Sequence, residues 1–330
     1  MKLSLRLSSD LEPEPIREGA RGAVAAGLER VWLADNPRER SSIVTAAHLA
    51  ALEPSLSIGL GIVSARERNP IVLAQEALAL QGYCPQGVIL GLGLGDSREI
   101  GNLGLAKRSG LALLRETTQI VRALSQGDEI PALGDDGAGT VGLKFTGRPL
   151  PVYFGAIGPK TLRLAGEIAD GVVLSLGTTA RAARTAVTTA LEAERAPGLA
   201  PTVETVCYVA FGGLDDAAAD RMQMFAAHVL KVFFAQPGLE VLLEGTGVGP
   251  QEAAGLVADY EHGVPLPAEV VDAISIAGSV EHCIERMRAY QSAGVNEIAL
   301  GLGLWNSSFA DALADAARLS AAWKETAEWT

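Results

Sequence analysis

The sequence predicts a (β/α)8 barrel, in which eight parallel strands alternate with helices and close into a cylinder. The first observation is the alternation itself, since eight short apolar segments are separated by stretches whose apolar residues recur at helical spacing. The second is the length of 330 residues, which suffices for a single barrel-sized domain over 1–330. A count of eight favours closure over an open doubly wound sheet, which is the alternative.

The first two strands are predicted close to the amino end of the chain. Leucines alternate with polar residues over 3–7, which is the pattern of a half-buried strand, and small and apolar residues then recur at helical spacing over 16–28. The second strand covers 30–34. It ends at the polar turn 35–37, where a proline stops the strand.

The third and fourth strands repeat this order with glycine-containing segments. A helix is predicted at 42–51 and a strand at 55–63, and a proline then opens the helix at 70–80. The fourth strand covers 88–92, and the helix after it covers 109–124. Helices between successive strands are the connections that a parallel sheet requires.

The second half of the chain supplies the other four strands. Strand five at 152–154, a helix at 159–168 and strand six at 172–176 form one unit around a glycine-rich bend. The remaining predicted elements are a helix at 180–195, strand seven at 205–211, a helix at 280–293 and strand eight at 297–302. Two segments fall outside the alternation. These are a glycine- and aspartate-rich excursion at about 127–150 and a helical insertion at about 215–276.

Composition narrows the class of protein. There are 27 basic and 39 acidic residues, and the resulting net charge of −12 disfavours nucleic acid and anionic membranes as partners. The four histidines and three cysteines are scattered without metal-ligand spacing, so neither a metal site nor a disulfide framework is expected. No apolar stretch reaches the length of a membrane span or a leader, so a cytoplasmic location is expected.

A glycine-rich bend precedes the helix at 159–168. Gly155, Ala156, Ile157 and Gly158 form the bend, Pro159 opens the helix, and Lys160 adds a cation. Backbone N–H groups that converge at a helix N-terminus bind phosphate or another anion. The other interpretation is that the glycines only turn the chain between packed elements.

Three predicted strands share the pattern apolar-Gly-Leu-Gly-apolar, at 58–62, 90–94 and 300–304. Glycine weakens a strand, so its recurrence indicates either a bulge where something flat must fit or small residues in a crowded barrel interior. The second of these strands is not a dinucleotide fingerprint, because the third glycine of that motif is replaced by Asp96.

Motifs spread through almost the whole chain carry a family resemblance. They are Val31-Trp-Leu-Ala-Asp35, Asn69-Pro70 with Leu73-Ala-Gln-Glu76, Gly91-Leu-Gly-Leu-Gly-Asp96, Gly155-Ala-Ile-Gly-Pro-Lys160, Leu164-Ala-Gly-Glu-Ile-Ala-Asp-Gly171, Ala277-Gly-Ser-Val-Glu-His282 and Ala293-Gly-Val295. Their order and spacing resemble the luciferase-like family of flavin and deazaflavin enzymes. The Gly-Pro-Lys form is most similar to the branch that uses the deazaflavin coenzyme F420, typified by methylenetetrahydromethanopterin reductase.

The resemblance implies that the cofactor ring lies across the carboxyl ends of the strands, in front of a bulge in strand three. A cis peptide bond is expected at Gly61-Ile62. The implied cofactor contacts are Asp35, Asn36, Gly61, Ile62, Val63, Gly93 and the bend residues Gly155, Ala156, Ile157, Gly158, Pro159 and Lys160. The implied catalytic residues are Asp96 and Asp35. Asn36 stands where relatives often carry a histidine, and an amide does not shuttle protons at neutral pH.

The sequence is therefore interpreted as a coenzyme F420-dependent oxidoreductase that transfers a hydride to or from a small substrate. The alternatives are a monooxygenase dependent on flavin mononucleotide (FMN) and a non-catalytic flavin-binding protein. Few lysines are available in the second half of the chain, which favours a neutral or weakly charged substrate. A homodimer is expected because the helices around 46–52 and 72–80 carry more apolar residues than one buried face needs.

Overall fold

A computed structural model describes residues 1–105, 110–133, 139–235, 238–303 and 308–327. Ser109, residues 134–138, Pro237 and Leu304, which carry parts of the predictions above, lie outside these ranges. The strands are β1 Lys2–Leu7, β2 Arg30–Leu33, β3 Ser57–Ser64, β4 Val88–Gly93, β5 Ile130–Pro131, β6 Thr140–Val141, β7 Val152–Gly155, β8 Gly171–Leu174, β9 Glu204–Gly213, β10 Ser275–Ala277 and β11 Glu297–Leu302.

Helices lie between the strands. They are α1 Pro13–Ala25, α2 Ser42–Leu52, α3 Pro70–Tyr83, α4 Ser97–Asn102, α5 Gly110–Gln126, α6 Pro159–Ile168, α7 Ala180–Leu191, α8 Ala218–Ala235, α9 Pro250–Glu261, α10 Ala268–Ala273, α11 Val280–Ser292 and α12 Phe309–Ala327, with a 3-10 helix at Glu240–Leu243. No helix of the described ranges is long and apolar enough to cross a membrane.

Eight parallel strands close the sheet in the order β1-β2-β3-β4-β7-β8-β9-β11, and β11 pairs with β1. The predicted (β/α)8 barrel is confirmed, and each of the eight predicted strands overlaps a barrel strand. The sequence interpretation named no strand at β10, which extends the sheet beside the end of β9. It also named no helix at α4 or α12.

Alternation along the strands divides the apolar side chains between two cores. Outward residues such as Leu5 and Leu7 pack against the helices in the larger core. A smaller core fills the barrel interior and consists of Trp32, Ile89, Tyr153, Val173, Val206, Tyr208 and Ala299. The barrel is therefore a packed body whose floor is aromatic, and only its ends are available to ligands.

Glycine makes room for the aromatic floor. A Cβ atom on Gly59 would lie 2.2 Å from Cε3 of Trp32, and one on Gly171 would lie 2.5 Å from the ring of Tyr153. At Gly59 the interpretation of a crowded interior is therefore correct. The glycines of β4 face a different neighbour, which belongs to the site described below.

The segment between β9 and β10 builds its own apolar cluster. Side chains of α8, α9, α10 and the 3-10 helix pack together, with Phe225, Leu230 and Val270 near the centre. Ile157 and Leu176, which follow β7 and β8, pack against the edge of this cluster. The segment therefore covers one side of the carboxyl ends of the barrel strands.

We expect a homodimer that buries α2. This helix is apolar around much of its circumference, and Val44 on its outer side is 73% exposed. Light scattering at micromolar concentration is expected to give the dimer mass, and Val44→Glu is expected to give the monomer mass. The control is Leu191→Glu on α7, which alters a side chain that is 53% exposed and should leave the mass unchanged. A monomer mass for the wild-type protein would refute the expectation.

Candidate active site at the carboxyl ends of the strands

The loops after β2, β3 and β4 are joined by side-chain contacts. Arg68, in the loop after β3, donates to the carboxylate of Asp35 after β2 at 2.9 Å. Arg38, in the loop after β2, donates to Glu99 of α4 at 2.6 Å. Residues that are distant in sequence thus form one mouth at the carboxyl ends of the strands, where enzymes of this fold place their active sites.

A bulge interrupts β3 at this mouth. Leu60 is opposite Leu90 of β4, whereas the next pairing joins Val63 to Leu92, so β3 has one residue more than β4 between the two pairs. The Gly61–Ile62 peptide bond is cis. The expected bulge and the expected cis peptide bond are both confirmed.

The bulge presents the side chain of Ile62 to three glycines. The nearest neighbour of an added Cβ atom would be Ile62, at 2.6 Å on Gly93 and 2.8 Å on Gly155. On Gly91 the Cβ atom would lie 2.8 Å from Ile62 and 2.4 Å from the carbonyl oxygen of Leu60. Each position therefore has room only for the hydrogen of glycine. Ile62 stays partly exposed, whereas its neighbours Leu60 and Val63 are fully buried. We name Ile62 with these three glycines the Ile62 ridge. It is an apolar surface on which Ile62 carries the only side chain of these four residues, and it suits a flat ring.

The anion loop, residues 155–160, lies beside the ridge. Gly158 is the N-cap of α6 and Pro159 its first residue. The N–H groups of Ile157 and Gly158 donate to no atom in the described part of the chain, whereas the N–H of Ala156 makes a long bond of 3.4 Å to Val173. Unused N–H donors beside a helix N-terminus are the groups that bind anions in proteins.

Open space adjoins these donors. A Cβ atom on Gly158 would have no neighbour within 4 Å. Lys160 is exposed and forms no ion pair with a described residue. The loop therefore has both donors and space for a phosphate group, and binding of an anion there remains a prediction.

Both carboxylate oxygens of Asp35 form hydrogen bonds within the protein. Its side chain is 4% exposed, Oδ1 accepts from the N–H of Ser42, and Oδ2 accepts from Arg68. Both oxygens thus hold neighbouring loops. This geometry gives Asp35 a positioning role, and its direct contact with a cofactor or a proton remains a prediction.

Asn36 and Asp96 are exposed at the mouth. The Asn36 amide donates to Glu39 at 2.9 Å. Oδ1 of Asp96 accepts from the N–H of Glu99 at 3.2 Å, so Asp96 caps the amino end of α4. Capping accounts for an acidic residue at this position, and a role of Asp96 in proton transfer remains a prediction.

Sequence reasoning missed Glu67, which follows the bulged strand. Burial raises the pKa of Glu67, and the neighbouring Asp35 raises it further, while Arg68 opposes both effects. A carboxyl group with a raised pKa near the mouth is a candidate general acid. The available signal was an acidic residue in a loop after a barrel strand, three residues before Pro70.

Sequence reasoning also missed Arg6 and Tyr208. Arg6 is the penultimate residue of β1 and faces into the barrel, with its Cζ atom 5.8 Å from the centre of the Tyr208 ring. The Nε atom of Arg6 and the hydroxyl of Tyr208 are buried, and neither has a partner in the described part of the chain. The alternation over 3–7 already placed Arg6 on the face opposite the leucines.

Comparisons with known proteins agree with this geometry. The sequence profile described as luciferase-like monooxygenase matches residues 3–297. The 5,10-methylenetetrahydromethanopterin reductase of Methanolobus tindarius is 27% identical over 290 residues, which cover 86% of this chain and 88% of that protein. The F420-dependent glucose-6-phosphate dehydrogenase of Nakamurella multipartita is 29% identical over 153 residues, which cover 44% of this chain and 45% of that protein.

A solved structure shows the same fold. The coenzyme F420-dependent tetrahydromethanopterin reductase from Methanopyrus kandleri superposes with a TM-score of 0.76 at 19% sequence identity. The superposition covers 96% of this chain and 97% of the other. At this level of identity the likeness concerns the arrangement of strands and helices.

Proposed function

The chain belongs to the luciferase-like monooxygenase family, whose profile covers most of its length, and we propose that it is an enzyme that uses coenzyme F420 to transfer a hydride to or from a small organic substrate. The observation that carries the proposal is the adjacency of the Ile62 ridge and the anion loop. Gly155 belongs to both, since it gives space to Ile62 and begins the loop. A ring with a phosphate-bearing side chain matches this pair of surfaces.

The named relatives favour a deazaflavin over a flavin. One relative is described as F420-dependent, and the reductase from Methanolobus tindarius aligns along nearly its whole length. The family description names monooxygenases, so an FMN-dependent monooxygenase is the second candidate. A protein that binds the cofactor and reduces no compound of a substrate panel would be the non-catalytic alternative.

In this proposal the chain's residues bind, orient and shield. The N–H groups of Ile157 and Gly158, with the Lys160 side chain, hold the phosphate, and the Ile62 ridge supports one face of the ring. When bound, the cofactor supplies the carbon that gives or accepts the hydride. Asp35 fixes the loops around it, and the insertion that packs on Ile157 keeps water from one side.

The experiment that tests the proposal is a binding titration of the purified protein with each cofactor. Coenzyme F420 is expected to bind at micromolar concentration, and FMN is expected to bind at least about tenfold more weakly, a difference of about 1.4 kcal/mol. Absorbance changes of the bound ring give both dissociation constants. The reverse order would favour the monooxygenase.

Asp96 is proposed as the proton donor, and Asp96→Asn is expected to lower kcat about 100-fold with little change in cofactor affinity. Asparagine caps helices as well as aspartate does, so α4 should be retained. The measurement is steady-state turnover with a substrate that the wild-type protein reduces. If Asp96→Asn keeps its kcat while Glu67→Gln loses it, the proton comes from Glu67. Loss of cofactor binding alone would make Asp96 a cofactor contact.

A further inference from the structure

The interior face of β1 carries a guanidinium group without a carboxylate partner. Arg6 forms no ion pair and donates no hydrogen bond within the part of the chain that the structure describes. Removing a cation from water is costly unless an anion or several acceptors replace the lost hydration. The barrel nevertheless keeps this cation on its interior face near the carboxyl end of β1, so a ligand is a physical reason for its presence.

Charges near Arg6 do not neutralise it by contact. Burial lowers the pKa of Arg6, whereas the fields of Tyr208, Asp10 and Glu39 oppose this effect. Glu39 is engaged with Ser9 and Asn36 instead. The nearby carboxylates therefore act on Arg6 only from a distance and leave its donors free.

Tyr208 adds a second unused donor. Its side chain is buried with 5% exposure, and a Cβ atom on Gly61 would lie 2.0 Å from the hydroxyl oxygen, so the hydroxyl reaches the underside of the β3 bulge. Burial raises the pKa of Tyr208, and the hydroxyl therefore keeps its proton. The hydroxyl thus lies buried beneath the bulge, while the ring of Tyr208 flanks the guanidinium of Arg6.

Access to Arg6 is from the mouth. Trp32 packs against Tyr208 with ring centres 5.7 Å apart, and the ion pair of Arg30 with Glu297 lies on the far side of this floor. Arg6 is nevertheless partly exposed. Because the interior below is filled, solvent or a ligand reaches Arg6 only through the carboxyl end of the barrel, where the Ile62 ridge lies.

We propose that Arg6 binds the carboxylate of the substrate. The planar guanidinium presents N–H donors in a fork that pairs with both oxygens of a carboxylate, and the Tyr208 ring, whose centre lies 5.8 Å from Cζ, flanks it. The inference rests on the proposed function and adds a substrate class, namely a small monocarboxylate. It narrows the expectation of a neutral or weakly charged substrate to a compound with one negative charge.

Matched probes test the proposal by ligand-observed NMR on the protein without cofactor and with bound coenzyme F420. The probes are benzoate with benzamide and acetate with acetamide, pairs of similar shape that differ in charge. At least one carboxylate is expected to bind the wild-type protein at least tenfold more tightly than its amide. Arg6→Met is expected to abolish that preference and to keep its affinity for coenzyme F420.

Thermal melting separates a binding role from a structural role. Arg6→Met should melt at or above the wild-type temperature, because it removes a cation that has no partner. Arg30→Met is the matched contrast and should melt lower, because it leaves buried Glu297 without its cation. A lower melting temperature for Arg6→Met than for Arg30→Met would make Arg6 a structural group and overturn the proposal.

The other possible results of the binding experiments also decide whether the proposal holds. Equal binding of carboxylates and amides, equal carboxylate binding by Arg6→Met, or no carboxylate binding with and without cofactor would each overturn the proposal. A tenfold loss of coenzyme F420 affinity in Arg6→Met, with carboxylate binding unchanged, would assign Arg6 to the cofactor instead. Selective carboxylate binding by a protein that does not bind coenzyme F420 would support carboxylate binding at Arg6 and refute the proposed function.

Discussion

Gly158→Val is expected to weaken the binding of coenzyme F420 at least about tenfold, or about 1.4 kcal/mol. The added side chain would fill the open space beside the N–H groups of Ile157 and Gly158, which is the space assigned to the phosphate. The backbone of Gly158 has φ −77° and ψ 152°, an extended conformation that valine also adopts. The protein should therefore fold normally, and the effect should appear in cofactor titrations.

The chain offers a matched control for this variant. Gly249 is also an N-cap followed by a proline, it has φ −93° and ψ 171°, and a Cβ atom there would also meet nothing within 4 Å. Gly249→Val at the start of α9 should leave cofactor affinity unchanged. Unchanged affinity in a folded Gly158→Val protein would contradict the assignment of the anion loop, whereas equal losses in both variants would indicate a general effect on folding.

Gly166→Ala is expected to lower the free energy of unfolding by about 3 kcal/mol, the upper part of the range for overpacked sites. Gly166 lies in α6 where this helix crosses α7, and its Cβ atom would be 2.0 Å from the carbonyl oxygen of Ala190. The obstacle is backbone, so relief requires the two helices to separate. Urea denaturation gives the change from the shift in midpoint.

Gly255→Ala is the control for this second variant. Gly255 lies within α9, where a Cβ atom would meet nothing within 4 Å. The same chemical change should there raise stability by about 0.5–1 kcal/mol, because alanine loses less entropy than glycine in a helix. A Gly166→Ala protein as stable as the wild type would show that α6 and α7 are less closely packed than described.

The strands were predictable because each is a local pattern. The alternation over 3–7 and the apolar runs near 88–92 and 297–302 are produced by burial on one or both faces, and eight such runs specify the barrel. β10 was missed because a strand of three residues, Ser275–Ala277, has too few positions to show a period. It exists because the end of β9 offers it a partner, which is a tertiary effect.

The site was predictable where it depends on backbone shape. Glycine and proline indicate the anion loop and the bulge in the sequence, because few other residues adopt such turns or leave such space. The pairing of Asp35 with Arg68 and the stacking of Arg6 near Tyr208 were not predictable, since the barrel brings together residues far apart in the chain. Each of these residues alone resembles an ordinary charged or aromatic residue of a strand or loop.

The repeated glycines show both what the sequence reveals and what only the fold reveals. Two interpretations were available for them, and the structure assigns them to different positions. Gly59 accommodates the indole of Trp32, whereas Gly93 accommodates Ile62 at the mouth and Gly91 accommodates both Ile62 and the carbonyl oxygen of Leu60. The sequence pattern is the same in both strands, and only the large side chain opposite each glycine distinguishes a filled interior from a ligand-facing ridge.

The measurement that tests the central claim most directly is the titration of the purified wild-type protein with coenzyme F420 and with FMN, followed through absorbance of the bound ring. The account predicts saturable binding of coenzyme F420 at micromolar concentration, at least about tenfold tighter than FMN. Binding of FMN with equal or greater affinity, or no saturable binding of coenzyme F420, would contradict it.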